Sequence, residues 1–242
     1  MKKSAIIFVA AFSTSLGIQT AQADVIADWT FQTPTSTNNI VGAGLATGAT
    51  QSGVLADIGT GTASASHATA TTAWSIPSGN GSSNSWSANN WTLGDYYQFS
   101  VSSAGFQNIT ISYDQVGSAT GPGHFDFEYS TDGSTFTPVG SIYNLVSSPA
   151  WNPNTASGVA AESFFYDLSS ITALNNLPAV YFRIIDQSAT TGGAINGNNV
   201  GTGGTDRVDN FIVNATPVPE PATIALATLG GLAGLFSLRR KR

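Results

Sequence analysis

The feature that most constrains the fold is the alternation of apolar and polar residues in short segments separated by turn residues. An apolar residue at every second position is the period of a strand that buries one face. No helical period persists over a long window before residue 218. The strand-like segments are 25–31, 96–101, 108–115, 125–130, 136–139, 162–168, 180–186 and 207–213. This spacing predicts an all-β chain folded as an antiparallel β-sandwich.

A stretch rich in Gly, Ser, Thr, Ala and Asn separates the first segment from the others. Residues 32–90 contain few large apolar residues, so we expect one or two weak strands joined by long loops there. Asp132-Gly133 stands between two later segments and is a pair that tolerates positive φ, which predicts a hairpin. The segments together predict one ectodomain over residues 24–216.

The N-terminus has the three parts of a secretory signal peptide. Met1-Lys2-Lys3 is basic, residues 5–12 are apolar but too short to span a membrane, and Ala21-Gln22-Ala23 has the pattern of a cleavage site. We therefore predict a signal peptide over residues 1–23, export of the chain, and cleavage before Asp24.

Composition excludes several classes of function. The chain contains no cysteine, which excludes disulfides, cysteine nucleophiles and thiolate metal sites. Residues 24–216 contain two basic residues, Arg183 and Arg207, against thirteen acidic ones, a net charge of −11. Nucleic acids and anionic lipids attract clustered Lys and Arg, so neither is an expected partner. Neutral glycans, cations and basic proteins are compatible partners.

The last 25 residues form a three-part segment. Val218-Pro219-Glu220-Pro221 is followed by an uncharged apolar run over residues 222–238 and by Arg239-Arg240-Lys241-Arg242. As a helix the run would be about 25 Å long, close to the minimum for a membrane span. Basic residues stay on the cytoplasmic side, so we predict a single C-terminal transmembrane helix with everything before Val218 outside the cytoplasm.

This segment resembles the PEP-CTERM sorting signal of Gram-negative bacteria that produce exopolysaccharide. The resemblance rests on the Pro-Glu-Pro motif, the apolar helix and the basic terminus in that order, over residues 217–242. It implies recognition by an exosortase, cleavage near the motif, and passage from the inner membrane to the cell surface or extracellular matrix. The alternative is an ordinary C-terminal anchor that is never cut.

A second resemblance concerns the ectodomain. Residues 125–133 and 206–213 are similar to the central hairpin and last strand of jelly-roll domains on secreted bacterial proteins, many of them carbohydrate-binding modules. The resemblance implies a sandwich of jelly-roll type. It also implies a structural calcium that joins the first and last strands, with Asp28 and Asp209 as the first candidate ligands. The alternative for such aspartates is capping of turn amides.

One strand carries two carboxylates on a single face. Asp126 and Glu128 alternate with Phe125, Phe127 and Tyr129, and two strand positions span roughly 6.6 Å. That separation is compatible with an acid/base pair of a glycosidase. The alternative is the solvated face of an antiparallel sheet, which is normally polar at alternate positions.

Four tryptophans stand in or near predicted loops. Exposed aromatic rings stack on the apolar faces of sugars, so these tryptophans are candidates for glycan binding. The alternative is that they fill the core of the sandwich, where burial of a large ring is stabilising. The four are Trp74, Trp86, Trp91 and Trp151.

These observations favour a non-catalytic surface or matrix protein that interacts with exopolysaccharide, with no catalytic residue. The alternative is a glycan-active hydrolase or lyase that uses Asp126 and Glu128. A third interpretation is a structural spacer without a ligand.

Overall fold

The computed structural model describes residues 22–32, 46–147, 151–156, 159 and 161–218. The predicted apolar helix and basic terminus lie outside these residues, as does most of the predicted signal peptide. In the part of the chain that the structure describes, no helix has the length and hydrophobicity that a membrane span requires.

The described residues form strands and one 3-10 turn, Thr172–Leu174. The strands are β1 (Asp24–Trp29), β2 (Ala46–Thr47), β3 (Thr50–Leu55), β4 (Ile58–Gly59), β5 (Gly61–Ser66), β6 (Ala73–Ser75), β7 (Trp86–Ala88), β8 (Tyr96–Val101), β9 (Phe106–Gly117), β10 (His124–Ser130), β11 (Thr137–Pro138), β12 (Tyr143–Asn144), β13 (Ser163–Asp167), β14 (Val180–Asp186) and β15 (Asp206–Pro217).

The strands form two antiparallel sheets. In the first sheet the order is β13-β9-β15-β7-β6-β2, and β1 pairs with both β15 and β4. In the second sheet the order is β11-β10-β14-β8-β5-β3, and β12 pairs with β10. From β8 onward the longer strands alternate between the sheets, since β8, β10 and β14 belong to the second and β9, β13 and β15 to the first. The predicted β-sandwich is confirmed.

Aromatic rings from both sheets meet in the core. The rings of Phe99 on β8 and Phe211 on β15 are stacked, with centroids 3.6 Å apart. Trp29 on β1 packs edge-on against Phe99 at 5.1 Å. All three are fully buried, which places the centre of the core between β8 of one sheet and β1 and β15 of the other.

The predicted segments all contain strands. The first and last residues of β8 and β14 are those that the alternation predicted. The β10–β11 hairpin is also confirmed, with Gly133 in its turn at a φ of 73°. The expectation of one or two strands in residues 32–90 is wrong, because the described part of this stretch contains six strands, β2 to β7. These strands lack a clear pattern of large apolar residues and form by pairing with neighbours that have one, as β5 does with β8 and β7 with β15.

Candidate functional site

A row of polar side chains crosses the outer surface of the second sheet. Glu128 on β10 pairs with Arg183 on β14, and Arg183 pairs with Gln98 on β8. Their neighbours along each strand point into the core, so period 2 puts these three side chains outside. We call this surface the Arg183 face; it comprises Tyr96, Gln98, Asp126, Glu128, Phe136 and Arg183.

Arg183 is held between two aromatic rings. The central carbon of its guanidinium lies 3.9 Å from the ring centroid of Tyr96 and 3.6 Å from that of Phe136. Its Nε donates a hydrogen bond of 2.8 Å to Oε1 of Gln98. Cation–π contact on both sides and the hydrogen bond fix the side chain in one orientation. The result is a partly exposed surface with an oriented cation, two aromatic rings and an amide.

The two carboxyl groups predicted from the sequence lie on this same face. Burial raises the pKa of Asp126, although its Oδ1 accepts a hydrogen bond of 2.9 Å from the amide of Phe127. Burial and the nearby charge of Asp126 raise the pKa of Glu128, while Arg183 lowers it. Both carboxyls therefore keep their protons to a higher pH than an ordinary carboxyl does, which is one requirement for a general acid.

The two predicted calcium ligands have different surroundings. Asp28 is buried on β1, its Oδ1 has no hydrogen-bond partner, and burial together with the charge of Asp57 raises its pKa to about 6. An unpartnered carboxylate oxygen suits a cation. Asp209 is fully buried, and its two oxygens already accept hydrogen bonds from the amide of Asn80, the hydroxyl of Ser82 and its own neighbour's amide.

Asp28 therefore fits a calcium ion better than Asp209 does. Across the described ranges, no group of three or more His, Cys, Asp or Glu side chains is placed to hold a metal ion. A calcium ion at Asp28 would need carbonyl or water oxygens to complete its six to eight ligands. The calcium site stays a prediction for both residues.

The structure corrects the expectation of a tryptophan platform. Trp74, Trp86, Trp91 and Trp151 are 1, 0, 4 and 4% exposed, so none offers a ring face to a sugar. The first three pack around Tyr97, with ring centroids 5.1 to 6.5 Å from its ring. Burial of these large rings stabilises a part of the sandwich whose strands are short and poor in other apolar residues.

Sequence reasoning missed the aromatic residues that do reach the surface. Tyr96 is one position out of phase with the buried Tyr97 and Phe99, so the alternation in β8 already indicated its outward orientation. Phe136 follows the hairpin turn, and only the pairing of β10 with β14 brings it to Arg183. Asp114 was also missed; it lies opposite Asp209 because β9 and β15 are adjacent in this register.

The sorting segment begins where β15 ends. Residues 217–241 match the PEP-CTERM protein-sorting motif. The chain therefore carries this motif, which implies an exported surface protein that an exosortase processes. The match includes Val218, Pro219, Glu220 and Pro221 and ends at Lys241, one residue before Arg242. No curated protein matches the chain in sequence.

Solved structures that are similar to this chain include adhesin and carbohydrate-binding domains. The K1 cleaved adhesin domain of Lys-gingipain from Porphyromonas gingivalis W83 is 10% identical with a TM-score of 0.35, over 61% of this chain and 83% of that chain. TmCBM61 in complex with β-1,4-galactotriose is 10% identical with a TM-score of 0.29, over 68% and 81% of the two chains. CBM28, a module specific for non-crystalline cellulose, is 13% identical with a TM-score of 0.28, over 57% and 78%.

Proposed function

We propose that residues 24–216 form a non-catalytic binding module that associates with exopolysaccharide at the surface of a Gram-negative bacterium. In this proposal the signal peptide exports the chain, residues 222–238 hold the precursor in the inner membrane, and an exosortase releases it at the Pro-Glu-Pro motif. The ectodomain then reaches the cell surface or the extracellular matrix.

The observation that carries the binding proposal is the Arg183 face. A glycan presents hydroxyl groups and apolar ring faces, and this surface offers partners for both. Tyr96 and Phe136 supply rings that are partly exposed, and Gln98, Glu128 and Arg183 supply donors and acceptors in one cross-strand row. Because the guanidinium is already oriented, a ligand would not have to order it on binding.

The test is comigration of the protein with the exopolysaccharide of its own host on a size-exclusion column that monitors protein and polymer together. We expect the native chain to shift into the polymer peak without a change in polymer length. Phe136→Ala removes one partly exposed ring and should weaken the affinity for the polymer by about tenfold. Ile58→Ala is the matched control, since Ile58 is an exposed apolar residue on the first sheet. Equal shifts for both variants would contradict a role for the Arg183 face.

The second candidate function is a glycan-active hydrolase or lyase that uses Asp126 and Glu128. The raised pKa values of these two neighbouring carboxyls favour it. In that case the polymer would shorten during incubation, and the double variant Asp126→Asn, Glu128→Gln would abolish the shortening while retaining the fold. Polymer of constant length with bound protein would exclude this activity on the host's polymer.

A further inference from the structure

Strand β13 forms one edge of the first sheet in the part of the chain that the structure describes. It pairs only with β9 among the described residues. Leu168 donates to the carbonyl of Ile109, and the carbonyl of Glu162 accepts from Gln115, at 3.0 and 2.8 Å. Hydrogen-bonded positions alternate along an antiparallel pair. Phe164 and Tyr166 therefore bond to β9.

The three remaining residues of β13 direct their backbone groups away from the sheet. These are Ser163, Phe165 and Asp167, whose register partners on β9 occupy the non-hydrogen-bonded positions. The amide of Ser163 donates to the carbonyl of Val159 at 2.9 Å. The outward edge thus presents the carbonyls of Ser163 and Phe165 and the amides of Phe165 and Asp167.

The other edges of the described sheets carry features that discourage pairing with another chain. β3 has a bulge between Gln51 and Val54, with Gly53 at φ of 76°. β11 contains Pro138, and β2 and β4 are two residues long. Bulges, proline and shortness are the usual protections of an edge strand. β13 has five residues, Ser-Phe-Phe-Tyr-Asp, and none of these protections.

The edge of β13 is complementary to a second copy of itself. Phe165 is the central residue of the strand and is 67% exposed. If two copies pair antiparallel about Phe165, its amide and carbonyl meet those of Phe165 in the other copy. The amide of Asp167 then donates to the carbonyl of Ser163 in the other copy. The amide of Ser163, which already donates to the carbonyl of Val159, is not needed for the pairing. Each Asp167 faces a serine, and the two Asp167 residues stand about 13 Å apart at 3.3 Å per residue.

We propose that the ectodomain forms a two-fold dimer through β13, with the first sheets of two copies joined into one continuous sheet and Phe165 paired with Phe165 at the axis. The interface has four backbone hydrogen bonds and one aromatic pair. It is small, so we expect a dimer that dissociates in the micromolar range.

The absence of native cysteine allows a direct test of the register in the full chain, purified in detergent. Phe165→Cys places two thiols across a hydrogen-bonded pair with Cα atoms about 5.5 Å apart, within disulfide range. We expect mild oxidation to link this variant into dimers. Asp167→Cys, about 13 Å from its own copy, should not be linked. A mixture of Ser163→Cys and Asp167→Cys chains should give linked dimers of one chain of each kind.

Phe165→Lys in the cysteine-free chain gives an independent readout by sedimentation. It should shift dimer to monomer with a loss of about tenfold in association, while Leu93→Lys, at an equally exposed apolar residue outside the strands, should not. Equal cross-linking of Phe165→Cys and Asp167→Cys would overturn the proposal. It would mean that the chains associate elsewhere, for example through the C-terminal segment, and not through β13 in this register. A native chain that sediments as a monomer at about 100 µM would overturn it as well.

Discussion

Asp209 on β15 lies directly opposite Asp114 on β9, so two buried acidic residues are paired beneath the loop that precedes β7. Side-chain amides of Asn80 and Asn210 donate to Oδ2 of Asp114 at 3.1 and 2.8 Å. Burial raises the pKa of Asp209 to about 7, although three hydrogen bonds to its carboxylate oppose the rise. The acidic pair anchors the loop before β7 to the sheet.

Asp209→Ala is expected to destabilise the ectodomain by about 2 kcal/mol, because the buried amide of Asn80 and the hydroxyl of Ser82 lose their acceptor. Urea denaturation at pH 7 measures the change. Asp24→Ala removes an exposed acidic residue and is the control. Equal stabilities for the two variants would show that the loop does not depend on Asp209.

Asp28→Asn is expected to stabilise the ectodomain at pH 8. The folded pKa of Asp28 is about 6, above the ordinary 3.8, so the folded chain retains a proton that the unfolded chain has released. The unfolding free energy contributed by this group therefore falls as pH rises from about 4 to about 6. The asparagine has no charge to bury and should add about 1 to 2 kcal/mol at pH 8 and nothing at pH 3. A gain of equal size at both pH values would contradict this account.

Calcium is expected to raise the melting temperature at pH 8, where Asp28 is ionised, and chelator is expected to reverse the rise. The effect should vanish at pH 4, because the protonated carboxyl is a poor ligand, and it should be lost in Asp28→Asn. Differential scanning calorimetry with calcium, magnesium or chelator provides the measurement. A melting temperature indifferent to calcium at pH 8 would exclude the predicted site.

Trp86→Phe is expected to cost less stability than Trp74→Phe. The indole nitrogen of Trp86 is buried without a hydrogen-bond partner, whereas that of Trp74 donates to the carbonyl of Gly48 at 2.8 Å. Replacement of Trp86 removes an unpaired polar group, while replacement of Trp74 leaves an unpaired carbonyl, a difference of about 1 to 2 kcal/mol. Urea denaturation of the two variants measures which is less stable. A larger loss for Trp86→Phe would indicate that the indole nitrogen of Trp86 does form a hydrogen bond.

Replacement of Pro219, Glu220 and Pro221 by alanine is expected to block release of the precursor. The altered chain should remain in the inner-membrane fraction at the size of the precursor, whereas the native chain should appear shortened at the cell surface. Fractionation followed by detection of the ectodomain on a gel measures this. Replacement of the exposed Thr137 by alanine is the control for export. Normal release of the alanine chain would favour an ordinary anchor.

The sequence predicted the long strands well because each carries its own burial signal. In β8, for instance, Tyr97, Phe99 and Val101 alternate with polar or surface residues, and the bounds follow directly. β5 has no such signal from large apolar residues, since its sequence is Gly-Thr-Ala-Ser-Ala-Ser, and its pairing with β8 and β3 makes it a strand.

The candidate site was predictable only in part. The alternation along β10 predicted Asp126 and Glu128 on one face of a strand, and residues 124–130 do form that strand, while the role of the two carboxyls stays a prediction. Whether a tryptophan is buried or exposed depends on which loops fold over it, and residue type alone does not predict this. The contact of Arg183 with Phe136 joins residues 47 positions apart, and only strand order brings them together.

The position of β15 also determines how the domain bears load. The sorting segment continues directly from β15, a strand bonded along its length to β9 on one side and, near its end, to β1 on the other. A pull along the axis of this interior strand would load its hydrogen bonds on both sides together in shear, rather than open them one after another. If the tail anchors the protein and the ectodomain binds a polymer, as we propose, drag on that polymer would load one of the most extensively bonded strands of the domain.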